Sequence, residues 1–164
     1  MAAEDHARRG GQVVYSERQR VPLSWWFGAA VPVALISWQA QMHRPMWVMV
    51  VALMITSALA IWAMVHLSST TVEVREDEAG DKWLHVGPAS LPATVVSRSL
   101  VIPPTAKQAA MGRQLDPAAY VVHKTWIPTM AMLVLDDPDD PTPYWLISTK
   151  EPQELVEALG RPIY

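Results

Sequence analysis

The 164-residue chain contains no cysteine. That absence removes a disulfide framework, thiolate-bound zinc and a cysteine nucleophile together, and it fits a domain facing a reducing cytoplasm. Charge is missing too, from two long stretches. No residue is charged between Arg20 and His43, and between Arg44 and Glu73 the only ionisable side chain is His66. Each gap exceeds the roughly 20 apolar residues that cross about 30 Å of hydrocarbon. The sequence also lacks GxSxG, Walker, GxGxxG and HExxH motifs, so nothing in it announces catalysis or nucleotide binding. The expectation is a protein with no enzymatic activity, no cofactor and no metal.

What is present organises around the uncharged stretches. They predict a transmembrane helical hairpin over residues 21–67, with helices at about 21–41 and 46–67 and a polar turn, Met42-His43-Arg44-Pro45, between them. Pro22 suits a first helical turn, where its missing N–H would have had no partner, and Pro32 predicts a kink. A cleaved signal peptide would have a shorter apolar core and no second span so close behind it. Trp25, Trp26 and Trp62 fall toward one face of a bilayer, and Trp38 and Trp47 toward the other. Two interfacial belts are where amphipathic indoles settle. Six basic residues flank the hairpin on the side of its ends (Arg8, Arg9, Arg18, Arg20, Arg75 and Lys82), against Arg44 in the turn. By the positive-inside rule this predicts a multi-pass protein of the cell membrane with both termini cytoplasmic.

Residues 1–20 read as a polar cytoplasmic lead whose beginning is disordered. Residues 68–164 read as a soluble, β-rich α+β domain. TTVEVRE and WLHVG alternate on either side of EAGDK, which is a strand hairpin. ATVVSRSLVI, AYVVHKTW, MAMLVLDD and YWLIS supply further strands, PTAKQAAMGRQ a short helix or loop, and KEPQELVEAL a terminal amphipathic helix with Leu155, Val156 and Leu159 inward. From Ser68 onward there are eight Lys/Arg against thirteen Asp/Glu, a poor match for nucleic acid, whose phosphates need cations.

Each candidate constellation has a plainer reading. Asp136, Asp137, Asp139 and Asp140 lack the alternation, glycine and distant glutamate of a calcium loop, so they read as a solvated turn. His43 and His66 sit toward opposite membrane faces and do not make a haem pair. The acidic VEVREDEAGDK does not form a basic lipid-binding cluster. The notably polar groups inside the spans are Gln39, Thr56 and Ser57, without the charges that ion paths use. Ala52, Thr56 and Ala60 recur every four residues and form a helix-packing face, either against the first helix or against another membrane protein. Gly28, Ala29, Ala30 and Ala34 are its complements on that helix. Trp126, Tyr144 and Trp145 are the interaction candidates of the soluble domain.

The runs YSERQRVPLSWW, LDPAAYVV, TWIPT and DDPTPYWLISTKEPQELVEAL resemble a family of uncharacterised actinobacterial two-span membrane proteins, a domain of unknown function, over roughly Tyr15 to Gly160. Where that family carries Arg-Pro-Trp this chain has Lys124-Thr125-Trp126. The order of elements is also similar to bacterial pleckstrin-homology-like domains, in which a bent antiparallel sheet is capped by a C-terminal helix. The resemblance implies topology and lineage. The expected function is a protein-interaction or scaffold module of a membrane complex, with the lipid bilayer and another membrane protein, or a second copy, as partners. The alternative is a lipid- or small-ligand-sensing membrane-anchored domain.

Overall fold

A computed structural model describes residues 11–160. They form two compact units: one from the residues up to Arg18 together with those from Thr71 onward, the other from Gln19–Thr70. The expected disorder at the beginning of the chain lies outside the described residues.

The second unit is a helical hairpin. Helix α1 spans Leu23–Gln41 and α2 spans Met46–Leu67. Prolines at 22 and 45 precede both helices in extended conformation, and His43 turns the chain with a φ of 61°. Helix α1 runs on through Pro32. Among the described residues one helix, α2, is long and apolar enough to cross a membrane, with a mean hydropathy of 2.4. The indoles of α1 and its Gln39 and Gln41 dilute its apolar content. Length and composition therefore establish one candidate span where two were expected.

The first unit holds two four-stranded sheets. Strands β1 (Gln12–Arg18), β2 (Thr71–Glu76), β3 (Lys82–Val86) and β4 (Ala89–Pro92) form an antiparallel meander in that order. Alternation explains the faces. Val72, Val74, Leu84 and Val86 point into the core, while Glu73 and Arg75 face outward and pair at 2.8 Å. Gly80 and Gly87 take positive φ in the two tight connections, where a Cβ would be strained.

The presence of β1 corrects the expected polar lead. Residues 12–18 are an edge strand, registered from Gln12 opposite Glu76 to Arg18 opposite Thr71. Of its side chains only that of Tyr15 is buried, so the strand carries no apolar alternation by which it could be recognised. The sheet-bearing unit thus draws a strand from before the helices as well as the residues from Thr71 onward.

A 3₁₀ turn at Ala93–Val95 leads to the second sheet: β5 (Val96–Ile102), β6 (Tyr120–Val122), β7 (Met130–Leu135) and β8 (Tyr144–Ser148), ordered β5-β7-β8-β6. All neighbours are antiparallel except β6 and β8, which run parallel. Helix α3 (Pro104–Met111) sits between β5 and β6, and α4 (Pro152–Leu159) ends the described chain.

Two apolar clusters explain why β8 is buried from Trp145 to Ile147. Trp145 and Ile147 enter a core shared by both sheets and by Leu155, Val156 and Leu159 of α4. Leu146 points the other way, to Ile102, Met130 and Ala110 of α3. A strand buried on both faces reads as a continuous apolar run. At the end of α4, Gly160 adopts a φ of 69° and Lys82 of β3 donates its Nζ to the Ala158 carbonyl at 2.7 Å. A cation there also complements the negative end of the helix dipole.

Candidate helix-packing and interaction site

The packing face expected on α2 meets α1. Ala52, Thr56, Ala60 and Ala63 are half-buried, as are Ala29 and Val33 opposite them, while the outward residues Met54, Ile55, Leu59 and Trp62 are exposed. The seam closes on hydroxyls. Ser37 Oγ donates to the Val33 carbonyl at 2.7 Å, Thr56 Oγ1 to that of Ala52 at 2.7 Å, and the two oxygens lie 3.5 Å apart. Each hydroxyl is satisfied within its own helix, which keeps it tolerable in an apolar surround.

Ala60 borders space rather than the hydroxyl contact. It lines an open groove of about 350 Å³ between the helices, with Trp26, Ala29, Ala30, Ala34 and Ser57. Of the complements expected on α1, Gly28 is outside the seam, since a Cβ there would meet nothing within 4 Å. The helical period puts Ala29 in its place.

This geometry yields an expectation for two substitutions. Thr56→Leu inserts bulk where the Ser37 and Thr56 hydroxyl oxygens are only 3.5 Å apart, and overpacking of that kind costs about 1–3 kcal/mol. Ala60→Leu has the groove to grow into. Thermal melting of the full chain in detergent should therefore fall for Thr56→Leu and stay near the parent for Ala60→Leu. The opposite ranking would place the contact at Ala60.

The three aromatic candidates of the sheet-bearing unit do not share a surface. Trp145 is only 7% exposed, with its ring centroid 4.4 Å from that of Tyr120. It belongs to the core and offers no contact face. The Tyr144 hydroxyl accepts the Asp116 N–H at 2.7 Å and donates to the Gln114 carbonyl at 3.3 Å, bracing the loop before β6. Trp126 is half-buried, with the Lys124 ammonium 5.4 Å from its ring centroid. Of the expected strand AYVVHKTW only Tyr120–Val122 is extended. Beyond it the chain turns, and the Ile127 N–H donates to the Lys124 carbonyl at 3.3 Å.

The acidic turn is built by its own carboxylates. Asp137 accepts from the Asp139 N–H at 3.0 Å, and Asp140 accepts from the Thr142 N–H at 2.9 Å. The bonds from Thr142 favour the charged form of Asp140 and lower its pKa. Among the described residues no group of three His, Asp or Glu side chains is placed to hold a metal ion.

One polar node was invisible in the sequence. Glu17 of β1 accepts from Thr149 Oγ1 at 2.6 Å, from the Tyr15 hydroxyl at 3.0 Å and from the Lys150 N–H at 3.1 Å. Burial, against the opposing effect of the Thr149 hydrogen bond, pushes the Tyr15 phenol far above its ordinary range. The node ties the strand that leads into the helices to the segment that starts α4. No motif signals it, because its partners lie more than a hundred residues apart.

No curated protein and no solved structure matches the chain. One family profile, described as "Protein of unknown function (DUF3093)", matches residues 14–159.

Proposed function

Because the chain belongs to the DUF3093 family, whose description carries no activity, we propose its function from its architecture: a non-enzymatic scaffold that presents a soluble domain at the cell membrane. In this reading both helices cross the bilayer, and the termini and the domain are cytoplasmic. The observation that carries it is the pairing of β1 with β2. One strand precedes the helices and the other follows them, yet they are neighbours in one sheet. The two ends of the helical insert must then lie on the same side of any membrane, so the number of crossings is even. If α2 spans, α1 spans with it.

The domain reads as pleckstrin-homology-like. A four-stranded meander, three antiparallel strands (β5, β7 and β8) and a terminal helix in the shared core are the parts of that architecture. The hairpin would be an insertion between its first two strands, and β6 an addition. The two-span, actinobacterial lineage suggested by YSERQRVPLSWW agrees with such an insert. A fold does not fix a function, and the interaction role rests on the hairpin. Its open groove is lined by Ala29, Ala30, Ala34, Ala60 and Ser57 alongside the larger Trp26, Val33, Leu53, Ile61 and Met64, and in lipid small residues let a neighbouring backbone approach closely. The expected partner is another membrane protein or a second copy of this chain.

The test is purification of the full chain in mild detergent after cross-linking in membranes, beside an Ala30→Leu variant that narrows the groove from the α1 side. A discrete cross-linked species that weakens in the variant supports the proposal. A monomer with no cross-linked species in either sample contradicts it.

A further inference from the structure

Lys107, on α3, is a lysine whose ammonium is already held by the protein. Its Nζ donates to the backbone carbonyl of Lys124 at 3.0 Å and to that of Ile127. An ammonium has three N–H donors, so these contacts fix the charge in place and leave one donor. The carbonyls belong to the turn that replaces the expected end of β6, and between that turn and α3 lies a cleft of about 400 Å³. Lys107, Gln108, His123 and Thr125 line it together with Met111 and Pro128.

Electrostatics distinguish this cleft from the rest of an acidic domain. Burial lowers the pKa of Lys107, and burial followed by the Lys107 charge lowers that of His123. No acidic group is among the causes of either shift. The fixed positive charge of the half-buried Lys107 thus lies close enough to the exposed His123 to disfavour its protonation. An anion in the cleft would reverse both effects.

We propose that the cleft between α3 and the 123–128 turn binds a phosphate monoester with an adjoining apolar group. Lys107 and His123 hold the phosphate, Gln108 and Thr125 add hydrogen bonds, and Met111 and Pro128 pack against the apolar part. A monoester carries about −1.5 to −2 charges at pH 7, which compensates the ammonium and draws a proton onto His123. Lysine serves as a point-charge phosphate ligand, and a preformed cleft with a few convergent polar groups is the usual form of a small-ligand site. The phosphate can belong to a soluble organic phosphate or to a lipid headgroup, and both present the same chemistry. The site goes beyond the scaffold role and does not depend on it.

The experiment follows the His123 imidazole by proton NMR in the full chain, with His123→Gln used to assign the signal. One arm titrates glycerol 3-phosphate into protein in maltoside detergent. The other compares protein in phosphatidylcholine nanodiscs with and without phosphatidic acid. The expected result is a saturable shift with a raised His123 pKa, and loss of one charge-assisted contact in Lys107→Met should weaken binding about tenfold or more. Gln108→Ala, which leaves the held turn intact, should weaken binding severalfold. Arg98→Gln, an exposed cation on β5 outside the cleft, should bind as the parent does. A response to glycerol 3-phosphate assigns the site to soluble phosphates, and a response to phosphatidic acid alone assigns it to a lipid headgroup. No saturable response in either arm, or equal responses in all three binding variants, overturns the proposal.

Discussion

Replacing Trp145 with alanine is expected to lower the stability of the sheet-bearing unit by about 3–5 kcal/mol, the usual cost of emptying a buried Trp site. The site has little means of collapsing. Trp145 stands opposite Leu133 on one neighbouring strand and opposite Tyr120 on the other. Its ring packs against the Tyr120 ring at a tilt of 40°, in a core that both sheets and α4 share. Small domains have only about 5–15 kcal/mol in total, so the variant should lie near the edge of folding. Denaturant unfolding of the full chain in detergent, followed by amide exchange in β7 and β8, measures the loss. Parent-like protection in those strands would mean that the ring is not part of the core.

The elements readable in the sequence are those whose signal is local. The uncharged stretches marked both helices, and their bounds differ from the observed ones only at Val21 and Pro22, which precede α1. Period-two alternation marked β2 and β3, and the continuous apolar run of YWLIS marked β8. Leu155, Val156 and Leu159 announced the buried face of α4, and all three enter the core.

What escaped depends on distant partners. An edge strand such as β1 needs only one face and here buries one side chain, so QVVYSER reads as polar chain. The parallel pairing of β6 with β8 is three residues long and follows a loop; no local pattern encodes it. The site residues divide in the same way. The Ala52–Thr56–Ala60 repeat was visible because helices reuse positions every four residues. That the hydroxyls close the seam while Ala60 borders a groove depends on how the two helices meet. Lys107, Glu17 and Thr149 carried no signal at all, because their importance comes from carbonyls and hydroxyls supplied by other elements.

The central claim is that a hairpin of two membrane-crossing helices is inserted between paired strands of one cytoplasmic domain. The native chain has no cysteine, so single introduced thiols report without background. Three positions decide the matter: Ser16→Cys on β1, Arg44→Cys in the turn and Glu78→Cys beyond β2. With a membrane-impermeant maleimide on intact cells, the account predicts labelling at position 44 alone, with positions 16 and 78 reacting only after permeabilisation. Labelling of 16 and 44 without 78 would mean a single crossing by α2 and would contradict both the even number of crossings and the β1–β2 pairing from which it follows. Labelling of 16 and 78 without 44 would keep the hairpin and reverse its orientation.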